Sequence, residues 1–296
     1  LSAVLAGLYL YRNEEKEYLT ETVRNTVYGK FVKLEDGFVH YESAGPEDGQ
    51  TIVLVHGLST YAFAWDPTFQ ALAQEGFRVL RYDLYGRGFS DRPDVDYDED
   101  LFDRQLLSLL TKLGVSGQID LIGHSMGGLI VNTFAARRPE KVRSLIMISP
   151  AFFFIRKIPF PLGVPLAGNY IGHVFVVPFI AKVQLADFRE PGKFPDYNPL
   201  YRVQMRYKGF SRSILSTVRQ FPGRDEIAEL ITRHGGRAAS SVSPPAILWR
   251  SLGVISASWR SERRASSGSS ALMRSTVSKS GARTMRWTLR TLPPFE

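Results

Sequence analysis

The feature that most constrains this chain is a short stretch, Gly123-His124-Ser125-Met126-Gly127-Gly128, set between two apolar elements. Ile119–Ile122 before it reads as a buried strand, and Met126–Arg137 after it reads as a helix. A backbone passing from strand to helix within a residue must turn sharply. Gly123 and Gly127 remove side chains that would collide across that turn, which puts Ser125 in a strained conformation with its Oγ exposed. The helix N-terminus behind it favours negative charge there. Gly128 allows the helix to pack closely, and Ser125 is the candidate nucleophile.

Upstream elements follow the same alternation. Phe31–Leu34 and Phe38–Tyr41 flank the turn pair Asp36-Gly37, which predicts an antiparallel hairpin. Thr51–His56 and Phe77–Asp83 read as strands, with Phe63, Trp65, Phe69 and Leu72 as a helical stripe between them. Phe102, Leu106, Leu109, Leu110 and Leu113 make a second stripe, and Val142–Ile148 is a further strand. Alternating strands and helices predict an α/β fold built on a mainly parallel sheet.

Acyl chemistry needs two N–H donors aimed at the developing oxyanion. The N–H of Met126 supplies one, and that of Leu58, in the loop His56-Gly57-Leu58-Ser59-Thr60, supplies a second. Gly57 lets the backbones approach, and His56 is expected to brace the loop. Ser59 and Thr60 either line the entrance or are plain loop polarity. Gly86 and Gly88 imply a forced turn, with Asp83, Arg87 and Ser90 as loop braces; the spacing G-x-G-x-x-G fails at Asp91, so no dinucleotide site is read there. The acidic run from Asp94 to Asp100 fails the calcium-loop pattern at Glu99 and Gln105 and reads as the acidic start of a helix. No metal and no organic cofactor are expected.

The chain has no cysteine, which excludes disulfides, thiolate metal sites and a cysteine nucleophile. Its formal charge of +8 lies wholly in residues 227–296, which carry 11 Lys/Arg against Glu229, Glu262 and Glu296. A neutral body with a basic tail speaks against a nucleic-acid partner. After Asp225 there is no aspartate, while 14 serines and three of the four tryptophans fall beyond Arg237. Residues 236–296 are therefore read as an atypical basic tail, either disordered or translated from a changed reading frame.

Leu1–Tyr11 is an apolar run too short for a bilayer, which takes about 20 residues. Residues 1–12 read either as a fraying amphipathic start or as the remnant of a signal or anchor. The latter implies export or membrane association, the former a cytoplasmic protein. Ile158–Ala181 carries no formal charge, and its prolines and glycines predict a lid of short helices. Phe152, Phe153, Phe154, Phe160, Tyr170, Phe175 and Phe179 are expected to form its inner face. Membrane contact through the N-terminal segment or this cap is a further expectation.

The strings VLVHG at 53–57, RYDLYGRGFSDRP at 81–93, GHSMGG at 123–128 and LIMISP at 145–150 together resemble the α/β-hydrolase fold family, over about residues 28–151. The resemblance is to capped serine hydrolases acting on esters and acylglycerols. It implies a core over 25–150 with an N-terminal antiparallel hairpin, and a helical cap inserted over 151–235. It also implies Ser125 as nucleophile, Leu58 and Met126 as oxyanion donors, and a small lipophilic ester as substrate. Serine at the turn speaks against the dehalogenase and epoxide-hydrolase branches, which carry aspartate there.

The departure from the family is equally specific. Family members carry an acid in a Gly-x-x-Asp setting after the next strand and a histidine near the C-terminus. Here Ala246–Trp249 is followed by Arg250-Ser251-Leu252-Gly253, and no histidine follows His234. The triad acid and base are therefore unassigned. His40 reads as a half-exposed strand residue, His124 as pointing away from substrate, and His173 as a satisfied polar group in the cap. Reading one nucleotide later at Trp249 and at Trp287 begins Gly and can then encode Asp and His respectively. Two functions stay open: a serine ester hydrolase impaired in this chain, or a catalytically silent protein of the same fold that binds a lipid-like ligand.

Overall fold

Apolar on both faces, the run Thr51–Val55 can only be an interior strand, and it is one in the computed structural model of the chain. The structure describes residues 2–151, 160–161, 163–184, 192 and 194–221, and the backbone of 270–277 and 283–290. In chain order the helix α1 (Ser2–Arg12) and the turn α2 (Glu21–Arg24) precede the strands β1 (Lys30–Lys33), β2 (Phe38–Ala44) and β3 (Thr51–Val55). Then come α3 (Asp66–Gln74), β4 (Arg78–Tyr82), α4 (Glu99–Lys112), β5 (Ile119–His124), α5 (Met126–Arg137) and β6 (Val142–Ile148). The helices α6 (Pro165–Ile171), α7 (Val177–Val183), α8 (Tyr197–Val203) and α9 (Phe210–Gln220) follow.

These strands form one six-stranded sheet in the order β1-β2-β4-β3-β5-β6. β1 and β2 are antiparallel to each other and β2 to β4, and the remaining pairs are parallel. The hairpin and the mainly parallel sheet are as the sequence predicts. β1 and β6 are the outer strands, and Ile146, Met147 and Ile148 of β6 are only half-buried. The tail contributes a separate antiparallel pair, β7 (Ser270–Val277) and β8 (Arg283–Arg290). The rest of residues 236–296, with the strand expected at 246–249, lies outside the described residues.

Alternate residues of the central strands feed two cores. Val53, Val55, Leu80 and Leu121 pack with Phe102, Leu106 and Phe134 of α4 and α5. Ile52, Leu54, Val79 and Ile122 pack with Trp65, Phe69 and Leu72 around α3. The acidic run does start a helix: Asp98 caps α4 by accepting from Leu101 N at 2.8 Å, and Asp103 pairs with Arg137 and Arg138. Among the described residues no cluster of candidate metal ligands occurs.

The cap departs from expectation. α6, a π-turn over Gly172–Val176, and α7 run on as one helix rather than short pieces. A π-turn widens the hydrogen-bond ladder just before Pro178, where the missing N–H would otherwise break it. Phe160, Phe175 and Phe179 point outward instead of lining an inner face, and Tyr170 is half-buried. The inward side is taken by Gly172, His173, Val174, Val177 and Ala181, because Gly172 abuts Leu215 of α9 too closely for a larger residue. Phe152, Phe153 and Phe154 lie outside the described residues.

His40 is also corrected: it is buried, not half-exposed. Its Nδ1 donates to Asp83 Oδ2 at 2.9 Å and its Nε2 to the Tyr28 carbonyl at 2.7 Å. Burial opposes the charged ring, but Asp83 beside it more than offsets this and raises the pKa. Burial likewise opposes ionisation of Asp83, and His40 outweighs it to lower that pKa. The pair therefore stabilises the fold fully above the ordinary aspartate pKa and below the ordinary histidine value of 6.5. Stability is lost as pH falls through the folded value of Asp83 or rises through that of His40. We expect His40→Gln to cost about 3 kcal/mol near neutral pH. Urea titrations should show the decline above pH 6.5 in the parent and a flatter profile in the variant; parallel profiles would refute a titrating pair.

Candidate active site

The turn between β5 and α5 is as tight as its glycines demand. A Cβ at Gly127 would lie inside contact distance of the Val55 and His56 carbonyls, and one at Gly123 would strike the Gly127 backbone. At Gly128 it would meet Pro150 Cβ at 2.9 Å. Ser125 consequently sits at φ 53°, ψ −119°. Its N–H donates to Ile148 O at 3.0 Å, and its carbonyl accepts from Gly128 N at 3.0 Å and Ala151 N at 3.1 Å. The strained residue is thus pinned to the end of β6. Ser149, on the same strand end, is the other non-glycine residue at positive φ (43°) among those described. Nothing in the sequence flagged it.

The loop after β3 lies directly against this turn, since a Cβ on Gly57 would stand 3.2 Å from Ser125 Cβ. Leu58 and Met126 therefore flank the serine from two elements. Among the described residues, neither the Leu58 nor the Met126 N–H donates a hydrogen bond. Met126 is the first residue of α5, where no intrahelical acceptor exists. Ser125 is half-buried, and its Oγ has no hydrogen-bond partner among the described residues.

His56 is a strut. Its Nε2 accepts from Leu84 N at 2.9 Å and its Nδ1 donates to Gly57 O at 2.8 Å. This fixes the neutral tautomer, and burial lowers its pKa to about 4. His124 follows Ile122 onto the α3 side of the sheet, edge-on to Trp65 with ring centroids 6.5 Å apart, and burial lowers its pKa too. His173 stacks on Tyr9 of α1 at 4.4 Å, 3.6 Å from Glu15 Oε1. It was expected to be satisfied, yet its Nε2 has no partner among the described residues. His40 is held by Asp83. None of these four histidines hydrogen-bonds Ser125.

Asp83 accepts from Ala62 N and Phe89 N at 2.8 Å each, and Ser90 Oγ donates to the Asp83 carbonyl at 2.6 Å. Sequence reasoning missed what Arg87 reaches. Its Nε donates to Leu58 O at 2.9 Å and its Nη2 to Thr217 Oγ1 of α9 at 2.7 Å. It is wholly buried with no carboxylate partner among the described residues, and burial pushes its pKa down to about 9. Gln204, between α8 and α9, donates to Ser59 O at 2.8 Å, and Gln184 to Ser59 Oγ at 3.0 Å. The loop beside Ser125 is therefore clamped to the cap. A glycine-rich loop gives no sign of a partner over a hundred residues away.

The family model for the alpha/beta hydrolase fold matches residues 50–169, the span that builds this turn and its neighbouring loop. Over these residues the chain has the α/β-hydrolase fold. It is similar to the AB hydrolase superfamily protein YfhM of Bacillus subtilis, 32% identical over 162 residues covering 53% of this chain and 56% of that protein. It is also similar to bifunctional epoxide hydrolase 2 of Sus scrofa, 35% identical over 125 residues, 41% of this chain and 22% of that one. Among solved structures, Cfl2 of Burkholderia cenocepacia matches with a TM-score of 0.54 and 26% identity, over 70% of this chain and 74% of that one. The chain thus spans about half of YfhM and about a fifth of the epoxide hydrolase.

Strain at Ser125 should be measurable. A non-glycine residue so placed costs on the order of 1–3 kcal/mol. Ser125→Gly is expected to raise unfolding stability by about 1 kcal/mol, whereas Ser125→Ala should leave it near the parent. Urea denaturation of the three proteins checks this; a glycine variant no more stable than the alanine variant would show that the turn is unstrained.

Proposed function

We propose that this chain derives from a capped serine hydrolase that cleaves lipophilic carboxylic esters or acylglycerols through an acyl-enzyme. The observation that carries the reading is Ser125 at positive φ between two undonated N–H groups, those of Leu58 and Met126. In this reading Ser125 Oγ attacks the ester carbonyl carbon and its proton passes to a general base. The carbonyl oxygen becomes an anion held by the two N–H groups. The bond to the alcohol breaks, the alcohol leaves with a proton, and water then releases the acid. The epoxide-hydrolase relative points to a neighbouring branch of the fold, but a serine forms an ester intermediate suited to acyl substrates. A small lipophilic ester is the partner, and no organic cofactor is required.

In this reading the sequence lacks the family's acid after Ala246–Trp249 and its C-terminal histidine, and hydrolysis by this chain is slow for want of a base. Loss of the base alone costs on the order of a millionfold. That same observation supports a second reading, a silent protein that binds a lipid-like ligand without turnover. Added imidazole separates the two by serving as an external base. For the hydrolase reading, imidazole should raise p-nitrophenyl butyrate hydrolysis and fluorophosphonate labelling in the parent and not in Ser125→Ala. Equal rates in both proteins would remove Ser125 from the chemistry and leave the binding reading.

A further inference from the structure

A helix on a soluble surface normally buries its apolar residues and shows its polar ones. α1 does the opposite. Its eleven residues carry no charge before Arg12, and not one of them is buried. What holds it to the body is polar and aromatic: Tyr170 Oη donates to Leu5 O at 2.9 Å, and Tyr9 stacks on His173 and Tyr170. Glu15, just beyond, caps α9 by accepting from Gly209 N and Ser211 N at 2.7 Å each. The aliphatic side chains are left outside, with Val4 70% and Leu10 69% exposed.

The helix it lies against repeats the pattern. Among the described residues, Leu166–Val183 is the one stretch long and apolar enough to cross a membrane. It is not free to do so, because Val177 and Ala181 are built into the cap core with Tyr201, Met205, Phe210 and Ile214. Its outer side shows Leu166 at 87%, Phe179 at 63% and Phe175, the two phenylalanines one turn apart. Two elements far apart in sequence thus present apolar rows side by side. Exposed apolar surface of this extent marks an interaction site.

We propose that this joint face of α1 and the cap helix docks on a lipid bilayer bearing anionic headgroups, lying in its interface rather than spanning it. Charge selects this occupant. Lys16, just past α1, and Lys182, near the end of α7, are exposed and have no ion-pair partner among the described residues. Glu14, Glu15 and Glu17 around Lys16, by contrast, are engaged by Arg202, the start of α9 and Arg206. Cations bordering an apolar helical face match an anionic interface. Two copies of the face brought together would instead set lysines against lysines. Tyr9 and Tyr170, apolar rings with polar tips, suit the headgroup level. The inference rests on these exposed faces and not on the chemistry assigned to Ser125.

The test is sedimentation of the full chain with sucrose-loaded vesicles of phosphatidylcholine, with and without phosphatidylglycerol. The parent should pellet with both, more strongly with the anionic lipid. Phe175→Glu/Phe179→Glu should lower the partition coefficient at least about tenfold on either vesicle, and Leu10→Glu should lower it as well. Circular dichroism checks folding, and Leu10→Glu, outside the cap, serves if the cap variant fails to fold. Undiminished binding by the folded variants would assign it to the basic residues 227–296 and overturn the proposal. So would a parent that stays in the supernatant, or one that forms dimers broken by the same substitutions.

Discussion

Backbone touching backbone, where α5 begins against the ends of β3 and β5, is the constraint from which the site follows. Only glycine at 123 and 127 permits the approach. Because the helix starts so close, Ser125 has no ordinary conformation available and takes φ 53°. Because it starts abruptly, its first N–H, that of Met126, has no hydrogen-bond partner among the described residues. The same approach brings Gly57 against Ser125, so that a second N–H arrives from another strand. The backbone of Ser125 is thus the by-product of a packing distance, and its strain is carried by a sheet buried on both faces.

Around this point the interior spends charged and titratable groups as struts. His56 ties its loop to Leu84, Asp83 ties the strand end to the backbone at Ala62 and Phe89, and Arg87 ties Leu58 to Thr217. Each is buried and each is hydrogen-bonded to backbone, to the cap or, for Asp83, also to His40, which is the condition for burying polar groups at all. The cap is consequently coupled to the loop after β3 through direct hydrogen bonds.

How much of this was legible depended on whether the signal was local. The turn at Gly123–Gly128 was readable because steric demand names its residues one by one. The sheet was readable because continuous apolar runs such as Thr51–Val55 admit few other fates. His40 was misread because a histidine in an alternating strand looks half-exposed until Asp83 arrives from another strand. The cap was misread for a related reason. Aromatic residues suggested an inner face, whereas the tight seat against Leu215 calls for Gly172 and its small neighbours and turns Phe175 and Phe179 outward. The reach of Arg87 across 130 residues to Thr217 had no sequence signature.

The outer strand β6 carries a consequence of its own. Among the described residues it pairs on one side only, with β5, and its half-buried Ile146, Met147 and Ile148 accompany an open row of main-chain donors and acceptors. An edge both apolar and unpaired accepts any strand that reaches it first. If that strand comes from the same chain, it completes the sheet; if it comes from a neighbour, it begins a polymer. Of the two edges of this sheet, the one at β6 is thus the apolar one, open among the described residues to either kind of strand.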